Sequence, residues 1–317
     1  MGLHEDSKMK PLSRLLAALL LALPLSLPLQ AAFFPAPLID ADWLIEHRDR
    51  VVLLDVRKKE AFERDGHIEG ARLVDVGSIR VNRMIDGKEL TRMRPDPQQF
   101  QDQLRQWGID NDSRVVITHR GKTPGQLAGA ARLYWHFKYY GFDNVALLDG
   151  GNAAWVDALE ELTDEPTPPP EPGSYRVGKE HPEVLATMAQ VRAALGRNSS
   201  MLIDTRNLRF HIGIDKKSYV YDYGHIPGAR LLPYKFLTPQ KGTQRYFKPD
   251  RLKRIIADLN IDLDQELILF CNSAYECSSD WFALHEILAV PQVRIYDGSL
   301  HQWTQYEDNP MQTRVQF

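Results

Sequence analysis

Cysteine is scarce in this chain: two residues in 317, Cys271 and Cys277. Both fall inside one short stretch, so a bridge between them would close little chain and add little stability. A scaffold held by long-range disulfides is thereby excluded, and chemistry is the better reading of both positions. Net charge is also scarce, −3 at pH 7, which argues against a nucleic-acid partner. Long apolar runs are missing except near the N-terminus, where Lys8, Lys10 and Arg14 precede Leu15 to Leu29, broken by Pro24 and Pro28. Ala31 and Ala32 follow. A basic segment, a short apolar segment and a small-residue end describe a signal peptide over residues 1–31. The prolines count against a transmembrane helix, with an uncleaved anchor as the alternative. The expected location is periplasmic or secreted, with no stable membrane insertion after cleavage.

What remains is ordinary in composition, 43% hydrophobic and 26% charged, and long enough for two domains. It contains an internal repeat. Val51-Val52-Leu53-Leu54-Asp55-Val56-Arg57 returns as Met201-Leu202-Ile203-Asp204-Thr205-Arg206. Gly66-His67-Ile68-Glu69-Gly70-Ala71 returns as Gly224-His225-Ile226-Pro227-Gly228-Ala229. Leu147-Leu148-Asp149-Gly150-Gly151 with Trp155 returns as Ile295-Tyr296-Asp297-Gly298-Ser299 with Trp303. Matches in one order at nearly constant spacing mean two copies of one domain. The copies are read as 36–160 and 184–317, joined by a proline-rich, extended linker over 161–183. Within each, short apolar strands alternate with helical segments (Phe100 to Trp107 before Gly108, Arg251 to Leu259 before Asn260), which calls for an α/β fold: a parallel sheet with helices on both faces.

The most informative stretch is Leu267 to Trp281. Leu267 to Phe270 reads as a buried strand, Cys271 stands at its C-terminal end, and a small polar loop leads into an amphipathic helix from Trp281. Such a turn gathers backbone N–H groups and a helix N-terminus around one point, where a thiol is favoured as thiolate, the nucleophilic form. In the first copy His119 occupies the equivalent place after Val115-Val116-Ile117-Thr118. No partner nucleophile stands beside it, so the first domain is read as inactive. His67 and His225 sit in glycine-flanked turns and are read as architectural, and Asp55 and Asp204 as partners of nearby arginines.

The ordered set of Asp-x-Arg, Gly-His-Ile and Asp-Gly motifs, twice, with a cysteine at the second strand end, resembles the tandem-domain rhodanese sulfurtransferases. The resemblance runs from about Ala36 to Thr304. It implies two rhodanese-like domains and a Cys271 persulfide that takes a sulfane sulfur from thiosulfate or 3-mercaptopyruvate. The acceptor would be a thiol or cyanide, and no metal or organic cofactor is implied. It also implies that the loop Asn272, Ser273, Ala274, Tyr275 and Glu276 binds the donor, helped by Arg209, the position matching the family's substrate-binding arginine. The family loop has glycine where this chain has Ala274. Glu276 and Asp280 place carboxylates near the thiolate, which would raise the cysteine pKa unless they face solvent. Cys277 is read as auxiliary, close enough to bridge Cys271 under oxidation. Two other readings stay open: a catalytically weak sulfur-carrier or binding module, and a Cys271/Cys277 thiol–disulfide protein. The N-terminal reading is tested by N-terminal sequencing, which should find a mature start near Ala32 outside the cytoplasm. Intact Leu15–Leu29 on a soluble cytoplasmic protein contradicts it.

Overall fold

Val115–Thr118 and Leu267 to Phe270 carry almost no polar side chain, so both faces of these strands must be covered. In the computed structural model, which describes residues 1–2, 33–196 and 200–314, each is the middle strand of a five-stranded sheet. The first sheet runs, edge to edge, Leu38–Ile39, Val145–Leu148, Val115–Thr118, Val52–Arg57, Arg72–Asp75. The second repeats that order with Leu185–Ala186, Val293–Tyr296, Glu266–Phe270, Ser200–Asp204, Arg230–Leu231. All these pairings are parallel. The duplicated sequence is thus a duplicated topology. The proposed signal peptide falls almost wholly outside the described residues.

Alternate residues of a strand serve opposite faces. Val115 and Ile117 enter one apolar cluster, Val116 another, and the same division recurs between Leu267, Leu269 and Ile268. Helices cover both faces. Pro97–Gln106 starts with a capping box from Asp96 and Gln99, and the chain turns at Gly108 with φ 67°. Pro249–Asp258 is its counterpart, followed by Asn260 at φ 54°. The proline-rich linker is extended and pinned to the first domain: Gly173 N–H donates to Arg105 O at 2.8 Å, and His181 N–H to Tyr139 O at 2.7 Å.

One apolar cluster crosses from the first copy to the second, carrying Leu133 and Trp135 as well as Trp281 and Phe282. The crossing element is Pro124–Tyr139, which packs against the Cys277–Trp281 helix and whose Gly129 leaves room for the Tyr275 side chain. Its Arg132 is fully buried and pairs with Asp297, which also accepts from the Arg94 N–H at 3.0 Å. A second bridge was not foreseen from sequence. It is a hairpin of Val81–Ile85 and Lys88–Met93, turning at Asp86-Gly87 with φ of 50° and 74°. Both central residues at positive φ suit the right-handed twist of a two-residue turn. The hairpin leans on the second domain, where Thr91 N–H donates to His301 Nε2 at 3.1 Å.

Removing one member of a buried ion pair strands the other charge, at about 3–5 kcal/mol. Asp297→Ala should lose about that much in urea unfolding, and Arg132→Met combined with Asp297→Leu should lose clearly less. Equal losses in the single and double variants contradict the pair's role.

Candidate active site

Cys271 closes the middle strand of the second sheet, between the ends of Ser200–Asp204 and Val293–Tyr296. In an open parallel sheet this carboxyl edge is where ligands bind. The loop after it is held from the next strand. Ser299 Oγ accepts from Cys271 N–H at 3.3 Å and Ala274 N–H at 3.0 Å, and donates to Tyr296 O at 2.9 Å. Leu300 N–H and His301 N–H reach Cys271 O at 3.2 Å and Asn272 O at 3.0 Å. Ala274 sits at φ 52°. That left-handed backbone explains the glycine usual in related loops. Alanine there bears roughly 1–2 kcal/mol of strain.

The thiol is 1% exposed. Burial alone pushes its pKa up, yet it settles at about 6, because the Cys277 S–H and the backbone N–H groups of Cys277, Ser273 and Glu276 all donate to it. At neutral pH it is a thiolate. Cys277 pays the opposite way: burial and the thiolate it faces hold its proton on, well above the usual thiol range. No disulfide joins the two.

Asp280 does not face solvent, and Glu276 is half-buried with its Oε2 shut off from water, contrary to one branch of the expectation. Asp280 is fully buried, and both its oxygens lack a partner among the described residues. Burial, then the thiolate, drive its pKa well above the carboxylate range. The same two causes bring Glu276 to about 8. At about 8 Glu276 keeps its proton at neutral pH, and the same two causes favour the neutral form of Asp280, which is how a thiolate tolerates them nearby.

Of the residues expected around Cys271, the structure gathers Asn272, Ser273, Ala274, Tyr275, Glu276 and Cys277 in one loop. Arg209 is elsewhere occupied. It lies on the short helix Leu208–His211, its side chain 62% exposed, with Nε and Nη2 on Asp215 at 2.6 and 3.1 Å. No hydrogen bond or ion pair joins it to the loop among the described residues. One cation that feels Cys271 is Arg80, from the first domain, whose guanidinium lies 4.5 Å over the Tyr275 ring. Sequence reading missed Arg80 and Ser299. Asp86-Gly87 marked the hairpin that Arg80 precedes, and the change from Gly151 to Ser299 between the copies marked the other.

The first copy keeps the loop and replaces the thiolate with a neutral acceptor. His119 is fully buried; burial, then Arg57, hold its pKa at about 3, and its Nδ1 accepts from Gly121 N–H at 3.1 Å. The motifs expected to be architectural are so placed. Asp55 pairs with Arg57, and Asp204 with Arg206 and His211. His67 stacks on Phe62 and His225 on His211.

Comparison with known proteins agrees with this geometry. A family model described as a rhodanese-like domain matches residues 40–158 and 187–306. The chain belongs to the rhodanese-like family, as a tandem of two such domains. It is 32% identical over 280 residues to a putative thiosulfate sulfurtransferase of Haloferax volcanii, covering 84% of this chain and 92% of that one. It is 29% identical over 290 residues to the sulfur carrier protein TtuD of Thermus thermophilus, covering 85% and 94%. The crystal structure of SseA from Escherichia coli, described with the 3-mercaptopyruvate sulfotransferases, superposes with a TM-score of 0.70 at 26% identity, over 83% of this chain and 98% of SseA.

Iodoacetamide, a neutral reagent, reads the thiolate directly. Its rate with Cys271 should be half-maximal near pH 6 and fall below that as the thiol gains its proton. In Cys277→Ala, which removes one donor to the sulfur, the midpoint should rise. A midpoint near 9.0, the unperturbed thiol value, contradicts the loop's role.

Proposed function

We propose that this chain is a sulfurtransferase that takes the outer sulfur of thiosulfate onto Cys271 and hands it to a thiol or cyanide. The observation that carries the reading is the buried thiolate at the strand end, ringed by N–H donors with no metal needed. The Cys271 thiolate attacks the sulfane sulfur, the new S–S bond forms, and the old bond breaks with its electron pair leaving on sulfite. The persulfide anion inherits the donors that held the thiolate, so the charge is stabilised throughout. A thiophilic acceptor then attacks the terminal sulfur, and cyanide leaves as thiocyanate while the thiolate returns.

Glu276 favours a second donor. Sulfite leaves without a proton, whereas pyruvate leaving from 3-mercaptopyruvate must gain one at carbon while the donor's thiol proton is given up. A carboxyl group with pKa about 8 beside the sulfur can give and regain that proton. A sulfur carrier with little turnover is the alternative, in line with the name of the Thermus relative, a sulfur carrier protein. We also propose export, on the N-terminal pattern of the sequence. Among the described residues no helix is long and apolar enough to cross a membrane.

Steady-state assays with each donor test the reading. Cys271→Ser should lose sulfur transfer to cyanide altogether, and His119→Ala should keep it within a few-fold, because the first copy's loop holds no nucleophile. Equal inactivity in the two variants contradicts the assignment of chemistry to one copy.

A further inference from the structure

We propose that Arg80 and Arg92, both from the first domain, hold the oxyanion end of the sulfur donor over Cys271. The inference rests on the sulfurtransferase reading and adds a role for the copy that lacks the cysteine. The donor class is a small anion whose transferable sulfur is attached, directly or by a short chain, to a sulfonate-like or carboxylate group.

The first observation is an uncompensated cation. Arg80 is partly buried, its Nε is shut off from solvent without a partner, and no hydrogen bond or ion pair joins its guanidinium to any described residue. A half-buried arginine normally finds a carboxylate, because losing water without a counter-charge is unfavourable. Here it finds only the face of Tyr275, a residue of the reactive loop itself. Tyr275 is in turn seated against the helix Pro124–Tyr139, where a Cβ on Gly129 would strike its hydroxyl. The ring therefore fixes the guanidinium beside the thiolate, with N–H groups left over. A planar fork with free donors suits a carboxylate or sulfonate.

The second observation is the shape of the hairpin. Its pairing slips between Val81 and Arg83, and opposite the slip Arg92 adopts φ 65°. A bulge with a left-handed arginine re-aims the side chain, and such strain gathers at functional sites. Arg92 lies 4.2 Å over the ring of Tyr219, whose hydroxyl is 3.5 Å from Ser273 Oγ. Neither a hydrogen bond nor an ion pair engages its guanidinium among the described residues. Two arginines, one just before the hairpin and one on it, thus stack on Tyr275 of the loop and Tyr219 beside it, and among the described residues both guanidinium groups lack a hydrogen bond or ion pair. The loop supplies no cation of its own between Cys271 and Trp281.

The pairing of neutral iodoacetamide with anionic iodoacetate tests this without relying on turnover. Both alkylate the same thiolate, so any change in thiol pKa cancels in the ratio of their rates. Arg80→Met should lower the iodoacetate-to-iodoacetamide ratio at Cys271 about ten-fold and raise the donor KM by a similar factor, for thiosulfate and 3-mercaptopyruvate assayed separately. Arg80→Lys should recover part of each. Arg92→Met, at an exposed position that leaves the core untouched, should move both readouts in the same direction. A KM change confined to one donor identifies which oxyanion the pair holds. Unchanged ratios in Arg80→Met and Arg92→Met overturn the proposal, as does an Arg209→Ala variant whose KM rises as much as that of Arg80→Met. If the unaltered protein accepts sulfur from neither donor, the sulfurtransferase reading fails, while the alkylation ratio still decides on the arginines.

Discussion

An anion held almost out of reach of water is the constraint on which the second half of this molecule is built. Cys271 at 1% exposure would be a neutral, inert thiol if burial acted alone. The loop inverts that outcome by turning three backbone N–H groups and one S–H toward the sulfur. Such a turn cannot hold itself. It needs Ser299 at φ 47° to anchor the Cys271 and Ala274 amides, and Ala274 itself in left-handed geometry. The neighbouring acids follow from the same constraint, since burial beside a thiolate favours the protonated form of both Glu276 and Asp280.

The first copy shows what the scaffold does without the anion. Where Cys271 stands in the second sheet, His119 stands in the first, and its ring nitrogen takes the N–H that a thiolate would have taken. Gly151, at φ 57°, occupies the place of Ser299, and a Cβ there would collide with His119 O. The two copies therefore solve one turn in two ways, one for a neutral ring and one for a charge. Their union is equally physical. A shared apolar cluster and the buried Arg132–Asp297 pair lock the halves together, which lets a hairpin of one reach the loop of the other.

Much of this was legible in the sequence. The parallel sheets follow from uninterrupted apolar strands separated by helices, the duplication from Asp55-Val56-Arg57 and Asp204-Thr205-Arg206 with their companions, and the place of the buried thiol from a cysteine at a strand end. What was not legible depended on distance in the chain. Arg80 meets Tyr275 only because two domains close on each other, and no local pattern near Cys271 points to it. The expectation for Arg209 came from a matching position, and its pairing with Asp215 could not be seen in a helix of four residues. The burial of Asp280 and half-burial of Glu276 escaped notice because polar residues in a loop read as solvated. They are enclosed by the packing of the helix Cys277–Trp281 against several elements, among them Pro124–Tyr139, Val293–Tyr296 and Tyr234–Leu237, that local sequence does not reveal.

The central claim is that sulfur passes through Cys271 and through no other residue. Intact mass and peptide mapping after mixing the protein with one equivalent of thiosulfate, under conditions that keep thiols reduced, test it most directly. The account predicts a gain of one sulfur atom, located on the peptide holding Cys271 and removed by cyanide. A protein that gains no sulfur from thiosulfate or 3-mercaptopyruvate, or carries it on Cys277, contradicts it.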